Sequence, residues 1–110
     1  MAKISLKDLV KKKYRIYDGM KVDGLLVRIV DGKKVRDTKN IDFTEGDNDL
    51  HSPKIMPKNT IWLDDTNKPE HQAILIHEIV ERNHEAKGML YDKAHVEANK
   101  VEKKFRSKSM

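Results

Sequence analysis

The segment that most constrains the fold of this chain is a short apolar stretch with ionisable side chains at its centre. Residues 73–81 read Ala-Ile-Leu-Ile-His-Glu-Ile-Val-Glu. A helix that is apolar on nearly all sides is a buried helix. Burying an ionisable group is costly unless the group is paired or binds a metal. Simple core packing does not explain His77, Glu78 and Glu81 together, so the segment predicts a buried helix that carries a functional site.

The spacing of these residues predicts how they are arranged. His77 and Glu81 are four residues apart, so they lie on one helical face, one turn above the other, and can bind one metal ion from the same side. Glu78 points roughly 100° around the helix axis. It can therefore reach a metal-bound water without being a ligand, as the general base. This is the logic of the His-Glu-x-x-His helix, with Glu81 in place of the second His.

A metal site of this kind needs a third protein ligand. The chain has no Cys, so the ligands must be His, Asp or Glu. A second helix starting near Tyr91 has an apolar stripe, and His95 lies beside that stripe. We therefore predict zinc, or another divalent ion, bound by His77, Glu81 and His95.

Alternatives to this ligand set remain open. Glu102 lies seven residues after His95 on nearly the same face, and is either an alternative ligand or a partner that orients one. His84 is a further alternative ligand, three residues after Glu81. His51 and His71 are expected to be ordinary surface residues. In the simplest alternative there is no metal, and the three ionisable residues of the first helix pair with basic neighbours (Arg82, Lys87 or Lys93).

The patterns along the rest of the chain predict an α+β fold. Leu25–Val30 is rich in β-branched residues and predicts a strand. Asp31-Gly32 then indicates a two-residue hairpin, with a returning strand from Lys33 towards Phe43. A polar loop follows, and Thr60–Leu63 predicts another short strand. Two packed helices complete the fold.

The whole chain of 110 residues fits one domain. Residues 1–17 form either an N-terminal helix, capped by Ser5 with Asp8, or a frayed basic arm. Residues 22–65 form the β region and residues 69–106 the helix pair, in which Gly88 ends the first helix. Residues 107–110 are expected to be a loose tail.

The net charge of +5 is a modest basic excess. Basic residues concentrate at the two ends of the chain, where they could contact phosphates non-specifically. Aromatic residues between them are few, so base stacking has little support. Nucleic-acid binding is therefore a weak alternative. No apolar run approaches the length of a membrane span, and the first residues lack the apolar core of a signal peptide, so we expect a cytoplasmic protein without membrane segments.

The motif residues resemble a known group of proteins. His77-Glu78-x-x-Glu81, followed by Gly88-Met89-Leu90-Tyr91-Asp92-Lys93-Ala94-His95 and Ala98, is similar to small phage and microbial proteins with a zincin-like helix pair. The layout also resembles the minigluzincins, which are single-domain metallopeptidases of about this length. In those proteins His stands at the position of Glu81, and the third ligand is typically Glu where this chain has His95.

The resemblance implies a zinc-dependent peptidase fold, in which a small sheet precedes the active-site helix. Thr60–Leu63 would then be the edge strand beside the cleft, where an extended peptide substrate could add as a further strand. The expected function is that of a minimal zinc metallopeptidase with Glu78 as general base. The alternative is a non-catalytic module, either stabilised by a metal or basic and bound to a nucleic-acid or protein partner.

Overall fold

The computed structural model describes residues 4–38, 43, 45–66 and 68–108, and confirms an α+β fold. A four-stranded sheet is followed by two packed helices. The elements in chain order are α1 (Leu6–Leu9), β1 (Lys21–Val22), β2 (Leu25–Val30), α2 (Gly32–Thr38), β3 (Gly46–Asn48), β4 (Thr60–Asp64), α3 (His71–Ala86) and α4 (Tyr91–Lys108). A single 3-10 turn, Lys68–Glu70, leads into α3.

The strands are ordered β1-β2-β4-β3 across the sheet. The β2 and β4 strands pair in parallel, with Leu26 opposite Thr60, whereas β1 and β3 pair antiparallel at the two sides. The prediction that Thr60–Leu63 forms an edge strand is therefore wrong, because β4 has a partner on each side. The edge strand beside α3 is instead β3, which lies in the segment expected to be a polar loop.

The predicted hairpin at Asp31-Gly32 is also wrong, because the chain enters α2 there instead of returning as a strand. The Asp31 carboxylate accepts a hydrogen bond of 3.1 Å from the Lys34 backbone N–H and so caps the helix. Gly32 is buried so close to Asp64 that an added Cβ would lie 2.6 Å from its carboxyl carbon. A helix suits this position, since parallel strands need a crossover connection. Residues 39–42 of the expected returning strand lie outside the described residues.

The sheet's actual hairpin joins β1 and β2 through Asp23 and Gly24. Both residues have positive φ angles, 51° and 80°. Positive φ angles at both positions are typical of the tight hairpin turns whose twist matches that of the flanking strands. Gly24 adopts this conformation without a steric penalty.

The core lies between the sheet and α3, as the apolar segment predicted. Ile74, Leu75, Ile76 and Ile79 are all buried, and they pack with β2 and β4 residues and with Leu9 of α1. Helix α4 packs along α3. Burial on almost every side of α3 means that its ionisable residues must find partners inside the protein.

At the N-terminus, the helix alternative is the one that the structure supports. Ser5 and Asp8 form a reciprocal capping box at the start of α1. At the other end, Ser107 and Lys108 belong to α4 and not to a loose tail, while residues 109–110 lie outside the described residues. None of the helices in the described residues combines the length and the apolar character that crossing a bilayer requires.

Candidate metal centre

Three of the sequence-predicted residues converge in the structure. His77 and Glu81 on α3 and His95 on α4 each offer a ligand atom, and these atoms all lie within 4.8 Å of one another. The Glu81 Oε2 atom is the centre of the group, at 3.1 Å from His77 Nε2 and 2.9 Å from His95 Nδ1. The two imidazole rings stand edge to face, with centroids 4.8 Å apart.

Local sequence explains how two helices bring these side chains together. His77 and Glu81 share a face because they are four residues apart on α3. Gly88, with a φ of +97°, ends that helix and lets the chain reverse into α4. Ala94 and Ala98 are fully buried between the helices. Their small side chains let α4 approach closely enough for His95 to reach Glu81.

Glu102 lies on the other side of His77 and is placed to orient it. Its Oε1 atom is 2.9 Å from His77 Nδ1, although the approach is not aligned as a hydrogen bond. Arg106 holds the second carboxylate oxygen at 2.8 Å. Glu102 therefore faces the nitrogen of His77 that points away from Glu81, which is the usual place for a carboxylate that orients a metal-ligating His.

His84, the other alternative ligand, is not part of this group. It lies in the last turn of α3, half-buried, and does not line the cleft at the centre. Its backbone carbonyl accepts the Lys87 and Met89 N–H groups where the helix ends. Its described interactions therefore belong to the end of the helix.

Glu78 is buried beside the three candidate ligands, and its exposed fraction is only 7%. The amide of Asn48, on β3, donates to Glu78 Oε1 at 3.0 Å and to Glu81 Oε1 at 3.3 Å. Burial, and next the negative charge of Glu81, raise the pKa of Glu78 to about 8. A carboxyl in this state can take up and release a proton near neutral pH.

Of the two neighbouring ligands on α3, Glu81 has a lowered pKa, opposite to Glu78, whereas His77 has a raised one. Burial alone would raise the pKa of Glu81, but hydrogen bonds and charges from His77 and His95 outweigh it and lower that pKa. Burial alone would likewise lower the pKa of His77, but Glu81, Glu78 and Glu102 raise it overall. Three carboxylates thus surround His77, and the cluster favours positive charge at its centre.

The cluster opens to solvent through a cleft of about 250 Å³. The wall facing the ligands holds residues that the sequence had not singled out for a function. His51 Nδ1 lies 3.0 Å from the buried Asp47 carboxylate, and its ring stacks on Tyr91 at 4.2 Å between centroids. Burial, followed by the charges of Glu81 and other carboxylates, raises the pKa of Tyr91 to about 12.

The expectation that His51 and His71 are ordinary surface residues is wrong for His71, which is buried, whereas His51 is exposed as expected. His51 is half exposed but lines the cleft. His71 is only 4% exposed, and its Nε2 lies 2.6 Å from the Asp64 carbonyl oxygen, tying the start of α3 to the end of β4. The one sequence signal for His51 was its spacing of four from Asp47, which is uninformative in a segment without periodicity.

Comparisons with known protein families, with curated proteins and with solved structures find no match to this chain. The resemblance to zincin-like proteins therefore remains a prediction that rests on the motif residues.

Proposed function

We propose that this chain is a metal-dependent hydrolase that binds one divalent ion, with zinc preferred, through His77, Glu81 and His95. The observation that carries the proposal is the convergence of three ligand atoms within 4.8 Å at the base of a cleft. Two imidazoles and one carboxylate are a donor set that zinc accepts, with a fourth position left open.

The surroundings of the donors fit the same ion. Glu102 lies against His77 Nδ1, which leaves Nε2 to face the centre. A divalent cation would also offset the negative charge of the buried carboxylates that crowd this point. When bound, such an ion polarises a carbonyl group and makes water acidic.

Glu78 would act as the general base in this scheme. Asn48 holds its Oε1 atom, so Oε2 is the oxygen that is left to take a proton from the attacking water. Asn48 also contacts Glu81, and so fixes the base relative to a ligand. Without a metal the pKa of Glu78 is raised to about 8, and a divalent cation bound beside it would lower that pKa and favour the carboxylate that a general base needs.

His51 would serve the opposite wall of the cleft. Asp47 fixes its Nδ1, and Tyr91 supports the flat face of its ring. The Nε2 atom is then the one that can hydrogen-bond to a substrate oxygen or nitrogen. We assign His51 the role of stabilising negative charge that develops there during hydrolysis.

An extended peptide is the substrate class that we propose. β3 is an edge strand, and its residues Gly46 and Asp47 line the cleft. The Asn48 N–H and carbonyl are already bonded to Asp47 and Ser52, so a peptide would add at the Gly46 end of this strand and run past Glu78 and His51. This places the substrate on β3, since Thr60–Leu63 lies inside the sheet.

Metal analysis tests the centre first. Protein purified without chelator should hold about one zinc per chain, and Glu81→Ala and His95→Ala should lose it. His84→Ala is the matched control, because it removes an imidazole from the same region outside the group, and it should keep the metal. Absence of metal from folded wild-type protein, or equal metal loss in the control, would overturn the proposal.

Catalysis is tested separately with Glu78→Gln. This variant keeps the side chain's shape and should bind metal normally, but should cleave a mixture of extended peptides about 100-fold to 10,000-fold more slowly. Cleavage products are measured by mass spectrometry. Wild-type protein that binds zinc tightly yet cleaves no peptide would instead favour the alternative of a non-catalytic, metal-stabilised module.

A further inference from the structure

A second concave surface lies apart from the candidate metal centre. It consists of two adjoining hollows that share Lys13, of about 240 and 740 Å³. The lining of these hollows has no residue in common with that of the metal cleft. We call this surface the basic groove, and its cationic members are Lys11, Lys12, Lys13, Arg15, Lys68 and Lys108.

The groove joins the two basic ends of the chain. The lysines that follow α1 meet Lys108, at the end of α4, across the smaller hollow. Within the described ranges, none of the six cationic side chains forms an ion pair with a carboxylate. Asp18 does line the larger hollow, but its carboxylate is held by the Arg28 side chain at 2.8 Å. The groove therefore carries an excess of positive charge, with Asp8 as an acidic neighbour of Lys11 and Lys12.

The segment that carries most of this charge is fixed to the core. The amide of Gln72, in the first turn of α3, donates to the Leu9 and Lys12 carbonyls at 2.9 and 2.7 Å. Its oxygen accepts the Tyr14 backbone N–H at 3.0 Å. Because one buried side chain anchors the segment at three points, Lys11 to Arg15 form a shaped surface and not a loose basic arm.

Aromatic rings lie among these charges. Tyr14 and Tyr17 both line the larger hollow, and Tyr17 is 53% exposed. The Lys12 ammonium sits 5.2 Å from the centre of the Tyr14 ring. Tyr14 is partly buried, so Tyr17 is the exposed ring of the groove. Aromatic rings beside a track of cations are the arrangement that binds single-stranded nucleic acid, with bases stacking on rings and phosphates contacting Lys and Arg.

We propose that the basic groove binds single-stranded nucleic acid without sequence preference. A bilayer is a poorer fit, since surfaces that bind membranes project apolar side chains outward, and the isoleucines here, Ile16 and Ile29, are recessed in the hollow. This site does not depend on the metal centre. It adds a nucleic-acid partner to a chain whose other cleft is acidic.

Binding is measured by fluorescence anisotropy with a labelled single-stranded oligothymidylate of about 15 nucleotides, within the range of site sizes known for single OB-folds. The double variant Lys12→Ala/Lys13→Ala should weaken binding about tenfold at 0.1 M salt and flatten the salt dependence. The matched control is Lys54→Ala/Lys58→Ala, which removes the same charge from exposed lysines outside the groove. This control variant should change the affinity for the oligonucleotide by less than about twofold.

Stacking is tested with Tyr17. Tyr17→Ala should weaken binding about fivefold or more with an unchanged salt slope, whereas Tyr17→Phe should bind as wild type. Equal losses in the groove and control variants, or no binding of the oligonucleotide, would overturn the proposal. So would binding to anionic phospholipid vesicles that exceeds binding to the oligonucleotide. Glu81→Ala should bind the oligonucleotide normally, so failure of the metal proposal leaves this one intact.

Discussion

Glu78 and Glu81 lie three residues apart on α3, yet their surroundings shift their pKa values in opposite directions. Glu81 contacts two imidazoles, whereas the hydrogen bond to the Glu78 carboxyl comes from an amide. Two carboxylates whose environments separate their pKa values are suited to different tasks, one to hold charge and one to exchange protons. Helical spacing predicted a ligand at Glu81 and a general base at Glu78, and both roles stay predictions. The Asn48 amide that connects the two could not be predicted, because it comes from a strand 30 residues earlier.

Asn48 offers a direct test of this arrangement. Asn48→Asp would place a third carboxylate against Glu78 and Glu81, in a position that is fully buried. In the presence of chelator we expect a loss of about 2 kcal/mol or more in the free energy of unfolding, measured with urea. Asn59→Asp is the matched control, because this exposed residue accepts from Arg82. Similar losses in the two variants would contradict the role given to Asn48.

Asp49 provides a pH-dependent contribution to stability. Burial alone would raise its pKa, but the Arg82 guanidinium, bound at 2.5 and 3.0 Å, and the Asn59 N–H lower it below the usual 3.8. Because the pKa is lower in the folded than in the unfolded state, the ionised carboxylate stabilises the fold at pH values above the unfolded-state pKa. This stabilisation is lost as the pH falls through the folded-state pKa. The difference in unfolding free energy between wild type and Asp49→Asn should therefore shrink from about pH 6 to about pH 3. A constant difference over that range would refute this linkage.

At the scale of elements, the sequence predicted the strands β2 and β4 and both long helices, because their apolar patterns are strong. The sequence-based prediction failed where one local pattern is compatible with two different structures. Asp31-Gly32 suits a hairpin turn, but the same pair suits a helix that begins with an Asp cap, and long-range pairing of β2 with β4 decides between them. β3 was missed because its three residues, Gly-Asp-Asn, carry no strand pattern and owe their conformation to β4.

The contact between β3 and α3 depends on Gly46. A Cβ added there would lie 2.7 Å from Ile74 Cγ2 and 3.3 Å from Glu78 Cγ. We expect Gly46→Ala to cost about 1–3 kcal/mol in unfolding free energy by pushing the strand from the helix. The double variant Gly46→Ala/Ile74→Ala removes the clashing methyl group, and so should lose less than the sum of the two single variants. Strictly additive losses would show that the clash is not the cause.

At the scale of the whole molecule, acidic and basic groups occupy separate concave surfaces. Carboxylates and imidazoles line the metal cleft, while lysines and an arginine line the basic groove. The sequence showed that the basic residues lie at the two ends of the chain, but not that the ends meet. That meeting depends on the Gln72 anchor and on the length of α4, neither of which has a local signature.

Because the proposed ligands come from both long helices, metal binding should stabilise the whole fold. With free zinc at about 100 times its dissociation constant, the melting temperature should rise by roughly 10 °C over that in chelator. His95→Ala, which leaves α3 intact, should show no rise, whereas His84→Ala should match wild type. Calorimetry measures the melting temperatures of the wild type and of the two variants, each with zinc and with chelator. An equal rise in the His95 variant would contradict a metal shared between the helices.

The parallel pairing of β2 with β4 also bears on the rate of folding. The centre of the sheet joins residue 26 to residue 60, so the chain must close a long loop before this pair gains any stability. Contacts so distant in sequence slow the search for the native topology. The long helices need no such closure, since their turns form from neighbouring residues. The full sheet against which the buried face of α3 packs exists only once that loop has closed, so we expect closure to limit the rate at which the cleft forms.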